Sequence, residues 1–124
     1  MSAVSLCLDA TTDKLEAFLG GAGTPRVMVI YHSIPSQVKP DFSEYKRAKV
    51  STVLAGATET TILSAPPQGE VYHIDAIYLN NDTGGTVTAT IVVDTSGTND
   101  ILVEQQLLDT ETLSFTAGEG FRVM

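Results

Sequence analysis

VYHIDAIYLNNDTGGTVTATIVV, residues 71–93, reads as two β-strands joined by a tight turn. Val71–Leu79 is rich in β-branched and aromatic residues, which fit a pleated, half-buried surface. It is apolar on both faces, because Ile77 and Leu79 lie opposite Ile74, Ala76 and Tyr78. A strand of that kind is expected near the centre of a sheet, covered on both sides. Asn80–Gly85 is a cluster of Asn, Asp, Thr and Gly, residues that tolerate the backbone angles of turns. From Thr86 to Val93 the chain alternates, with Val87, Ala89, Ile91 and Val93 on one face and Thr86, Thr88 and Thr90 on the other. A period of two marks a sheet with one packed and one wet face. The stretch is therefore expected to be a hairpin, with Thr86–Val93 as the half-exposed neighbour of a central strand.

The flanking sequence continues the pattern. Ala3–Leu8 alternates weakly and is expected to be a first strand at an edge. Lys14–Leu19 can be read in two ways. Asp13 and Glu16 resemble a helix start, with Gly20-Gly21 as the stop, whereas Leu15, Ala17 and Leu19 share one face of a strand. The strand is expected, since everything downstream is β. Arg26–Ser33 is apolar on both faces and reads as a second central strand. Val50–Ser64 reads as strand, break at Ala55-Gly56-Ala57, strand, and Pro66–Gly69 as a turn. Asp94–Asp100 is expected as a polar connection. Ile101–Leu108 reads as a strand with Ile101, Val103 and Leu107 on one side, and Thr112–Phe115 and Gly120–Val123 as two short closing strands. About nine short strands with turns between them predict an all-β fold, a single β-sandwich or jelly-roll-like domain over residues 1–124.

Residues 34–49, IPSQVKPDFSEYKRAK, interrupt this rhythm. Pro35 and Pro40 oppose regular structure, and the segment is expected to be an irregular loop or arm with a short helical turn at Asp41–Lys46. It holds four of the seven Lys/Arg residues, interleaved with Phe42 and Tyr45. Aromatic and basic residues together suit an interface. Phe42, Tyr45, Lys46, Arg47 and Lys49 are therefore the candidate partner-contact residues.

The net charge of −8 is unevenly spread. Residues 1–49 carry six Lys/Arg against five Asp/Glu; residues 50–124 carry only Arg122 against ten Asp/Glu. An acidic body repels nucleic acid and anionic membrane. The single Cys7 cannot form an internal disulfide and is expected to be a small buried hydrophobe, in a chain that matures in a reducing compartment. No secretory signal is recognised, and no apolar run reaches the roughly 20 residues needed to cross a bilayer.

Chemistry is sparse. His73 and Asp75 share a strand face, but no Ser or Cys is expected beside them, so they read as a structural pair. Two distant His residues and one Cys give no metal-ligand spacing. Asp94, Asn99 and Asp100 could offer oxygen ligands to calcium but lack the order of a calcium loop and read as a solvated turn. No nucleotide-binding glycine motif occurs. No enzyme activity and no cofactor or metal are expected.

The order of pieces resembles a family of small virion proteins of tailed bacteriophages and prophages. Thr12–Leu15 with Leu19–Ala22 is similar to its opening T-x-D-K-L segment, and Val29-Ile30-Tyr31 to the strand before its variable loop. Ala65–Gly69 matches A-P-x-x-G, and Ile74–Ile77 leading to Asn80–Asp82 matches the next motif. Leu107, Glu111, Leu113, Phe115, Gly118, Gly120, Phe121 and Val123 match the closing pattern. The layout covers most of the chain; residues 34–49 depart from it. The resemblance implies a non-enzymatic virion component, made in the bacterial cytoplasm. The leading expectation is a capsid decoration (cement) protein on the shell exterior, a homotrimer contacting the major capsid protein, with no nucleic-acid, membrane or small-molecule partner. Alternatives are a neck, tail-attached or head-fibre-base protein and, from another class, a carbohydrate-binding module.

Overall fold

A computed structural model describes residues 6–35 and 46–124. Among these residues, ten strands form an all-β domain in which two sheets pack together. They are β1 (Cys7–Leu8), β2 (Asp13–Leu19), β3 (Arg26–Pro35), β4 (Lys46–Val53), β5 (Thr60–Leu63), β6 (Glu70–Asn80), β7 (Val87–Thr95), β8 (Thr98–Leu107), β9 (Thr112–Thr116) and β10 (Gly120–Val123). The larger sheet runs β10-β9-β6-β3-β4, with β1 sharing one side of β6 with β9. The smaller runs β5-β2-β7-β8. Every pairing is antiparallel.

Between the sheets lie the fully buried Leu15, Leu19, Val29, Ile77, Leu79, Ile91 and Phe115. They come from alternate positions of β2, β3, β6, β7 and β9, as a period of two requires. β6 is central, as its two-faced apolarity predicts, and Lys14–Leu19 is strand.

Several expectations are corrected. The stretch 71–93 is no hairpin: β6 belongs to the larger sheet and β7 to the smaller, so residues 81–86 carry the chain from one layer to the other. Asn81 explains the crossing. It is fully buried, and its Nδ2 donates to the carbonyls of Gly85 (2.7 Å), Leu107 (3.0 Å) and Leu108 (3.0 Å). Its Oδ1 accepts from the Thr83 amide (3.2 Å) and hydroxyl (2.7 Å). Its backbone exchanges bonds with Glu111 and Thr110, both 2.8 Å. One side chain thus ties the crossing to the β8–β9 connection. β7 is itself central, between β2 and β8, and its outward Thr90 and Val92 are buried as well.

β7 forms its hairpin with β8 instead. Ser96 and Gly97 both have positive φ (51° and 92°), the requirement of a two-residue turn matched to strand twist. Asp94 Oδ1 accepts the Gly97 amide at 2.7 Å, so the supposed polar connection is mostly strand. A bulge in β8 skips Leu102 between Ile101 and Val103, which turns Ile101 outward, 64% exposed, away from Val103 and Leu107.

The segment 34–49, expected to be an arm, is strand at both of its ends. Ile34 and Pro35 finish β3, and Lys46–Lys49 begin β4, paired with Ser33–Ile30. Positions 36–45, with Phe42, Tyr45 and most of the expected helical turn, lie outside the described residues, as do Ala3–Ser5 of the first expected strand. Cys7 is exposed rather than buried, because β1 presents it outward while Leu8 enters the core.

On the outer face of the smaller sheet, Glu16 is only 6% exposed. Lys14 Nζ stands 3.7 Å from Oε2, and Thr61 donates to Oε2 at 3.4 Å; Oε1 has no hydrogen-bond partner among the described residues. Burial, followed by hydrogen bonding to Asp94, raises its carboxyl above the usual range. A raised acid is a stabilising group only while protonated: its contribution is complete below the unfolded-state value and is lost as pH rises through the folded-state value. Glu16→Gln, which keeps a donor toward Asp94 without the charge, is therefore expected to gain about 1 kcal/mol near neutrality. The gain should shrink toward zero as pH falls below the usual carboxylate range. Urea denaturation at several pH values measures it; a loss of stability at pH 7 would contradict this account.

Candidate interaction face

The outer face of the larger sheet collects most of the chain's described cations and its histidines. Even-numbered residues of β3 point outward, and β4 and β6 follow by register. One row across the sheet is Cys7, His73, His32 and Arg47; the next holds Ile30 and Lys49 beside Ala76. A third places Met28 between Ser51 and Tyr78, and a fourth sets Arg26 against Val53. Met28, Ile30 and Tyr78 are half-buried, while Arg26, Arg47 and Lys49 are exposed. A shallow depression is lined by Ile30, Arg47, Ala48 and Lys49.

Asp75 is the extra residue of a bulge in β6, opposite the step from Ile30 to Tyr31. The bulge aims its carboxylate across the sheet. His32 Nδ1 meets both carboxylate oxygens, at 3.0 and 3.1 Å, so its proton sits on Nδ1 and donates. Arg47 Nε lies 3.8 Å from the same group. The histidine rings stack, 5.1 Å between centroids and 3° from parallel.

Cys7 Sγ approaches His73 Nδ1 at 3.2 Å. A cysteine beside His73 was not expected, nor was Asp75 expected to bond His32 in place of His73. Both contacts join residues far apart in sequence and adjacent only through strand register. Burial, then the Asp9 charge, raises the Cys7 thiol, whereas burial, then His32, lowers the His73 imidazole. Both shifts favour neutral partners, a thiol beside an uncharged imidazole. That is the reverse of the thiolate–imidazolium pair that makes sulfur a strong nucleophile. Among the described residues no group of three or more His, Cys, Asp or Glu side chains is arranged to hold a metal ion.

Of the candidate contact residues, the structure sets Lys46, Arg47 and Lys49 on one edge strand, with Arg47 and Lys49 exposed. Phe42 and Tyr45 are outside the described residues. Comparison with protein-family models, with curated proteins and with solved structures gives no match.

Proposed function

We propose that this chain is a non-enzymatic structural component of a tailed-phage virion, a β-sandwich of jelly-roll-like form that decorates the capsid exterior. It stabilises the head by bridging capsomers, as a homotrimer in contact with the major capsid protein. The observation that carries the reading is the segregation of charge: an exposed basic strand, β4, on a chain whose remainder is strongly acidic. Beside it, half-buried Met28, Ile30 and Tyr78 with Arg26 and Arg47 have the composition of a protein–protein interface, in which Met, Tyr and Arg are over-represented. The sequence layout supplies the virion context, and its motif residues Asp75, Asn81, Phe115 and Phe121 take structural roles. A protein that binds only the assembled shell stabilises it by mass action.

Quantitative mass spectrometry of purified particles, against the major capsid protein, tests the proposal. Hundreds of copies per particle are expected. A few to a few dozen would instead put the chain at the neck, tail or fibre base, and absence from the particle would overturn the virion reading.

A further inference from the structure

Two long strand edges lack a described partner: the outer side of β4, eight residues, and the outer side of β8, ten residues. The other edges among the described residues are short, β5 and β10 with four residues each and β1 with two. A long bare edge is a template for another strand, and proteins cover or charge such edges. Here the charges are opposite. β4 carries Lys46, Arg47 and Lys49 and no acid; β8 carries Asp100 and Glu104 and no base. Arg47, Lys49, Asp100 and Glu104 are all exposed, and Lys49, Asp100 and Glu104 enter no ion pair among the described residues. Each edge also presents one uncovered apolar side chain, Val53 (45% exposed) on β4 and Ile101 on β8.

We propose that β4 of one copy pairs with β8 of a second copy, so that the chain associates head to tail through complementary sheet edges. This deepens the homo-oligomer of the proposed function and rests on that reading only for the expectation that copies associate. β4 abuts β5 on one side of the layers, and β8 abuts β9 on the other. One copy can therefore use both edges at once. Such a heterologous contact gives a closed ring when the rotation between copies permits and an open chain otherwise. A positive edge on a second positive edge is repelled, as is negative on negative, so the charges exclude the β4–β4 and β8–β8 alternatives.

The test uses the purified full chain in analytical ultracentrifugation. Wild type is expected to associate with rising concentration, and to do so about tenfold more weakly at high salt. Arg47→Glu with Lys49→Glu, or Asp100→Lys with Glu104→Lys, should each weaken association by about 100-fold. The first variant has two acidic edges and the second two basic ones. Mixed one to one, they should reassociate in strict alternation, as pairs and open chains of alternating variants, while a three-membered ring, which alternation cannot close, should be absent. All four positions are exposed and only Arg47 is in an ion pair, with Asp75, so circular dichroism should match wild type and melting should shift only slightly, for the Arg47 variant alone. Independently, amide exchange in wild-type β4 and β8 should slow with concentration while β10 is unchanged. A chain monomeric throughout, association indifferent to either reversal, or two folded variants that ignore each other would overturn the proposal. The particle measurement is separate: a chain absent from virions yet paired β4 to β8 leaves this inference standing.

Discussion

Asn81→Ala is expected to lower the unfolding free energy by about 3 kcal/mol or more. The side chain is fully buried and makes five hydrogen bonds. Truncation strands the carbonyl of Leu107 in the interior and frees Thr83, and each unsatisfied buried group costs about 1–3 kcal/mol. The contacts that hold the neighbouring turn do not use the Asn81 side chain and remain. Thr110, at the unusual φ of 73°, is held by its amide bond to the Asn81 carbonyl and by Asn80 Nδ2 on its own carbonyl at 3.0 Å. Asn81→Asp separates donor from acceptor: it keeps Oδ1 for Thr83 but cannot donate to the three carbonyls, and it buries a charge. It should be at least as damaging as alanine. Urea denaturation of both variants measures the effect, and a loss under about 1 kcal/mol for alanine would show that the crossing holds without this side chain.

Phe115→Ala should cost about 4 kcal/mol, by lost burial and the cavity left behind. Phe115 lies in β9 opposite Ile77 of β6 and Phe121 of β10, and is almost wholly buried. Its ring meets that of Phe121 at 5.0 Å between centroids, tilted 52°. Phe121 is only half-buried at the sheet edge, so Phe121→Ala should cost clearly less. Against a total stability of about 5–15 kcal/mol for a domain, either the Asn81 or the Phe115 change is large, and the two together should leave little folded protein at room temperature. Equal losses for Phe115→Ala and Phe121→Ala would contradict the burial gradient on which the ranking rests.

Strand character was legible in the sequence because it is local. The two-faced apolarity of Val71–Leu79 placed it at the centre of a sheet, and Leu15, Ala17 and Leu19 declared a strand once the surrounding pattern was weighed. Partnership was not legible. Asn80–Gly85 has the composition of a hairpin turn, and the same residues serve a crossing between layers; what distinguishes the two is the burial of Asn81 against carbonyls of the β8–β9 connection. The β8 bulge inverted Ile101 without disturbing the alternation on either side of it. Lys46–Lys49 looked like loop because an exposed edge strand need not alternate. The contacts of Cys7 with His73 and of His32 with Asp75 span 66 and 43 residues and depend on register alone.

The passage of the chain between layers also sets an order of events during synthesis. β2 finds its neighbours only in β5 and β7, and β6 needs β9 near the C-terminus as well as β3. The β3–β4 hairpin can close early, but neither layer is complete until most of the polypeptide is available. Such distant pairing belongs to the slow end of folding, milliseconds to seconds rather than microseconds. A nascent chain ending before Val87 would leave Leu15, Ala17 and Leu19 with one flank of their strand bare. Premature termination anywhere upstream of β7 should therefore yield sticky fragments rather than a smaller stable unit.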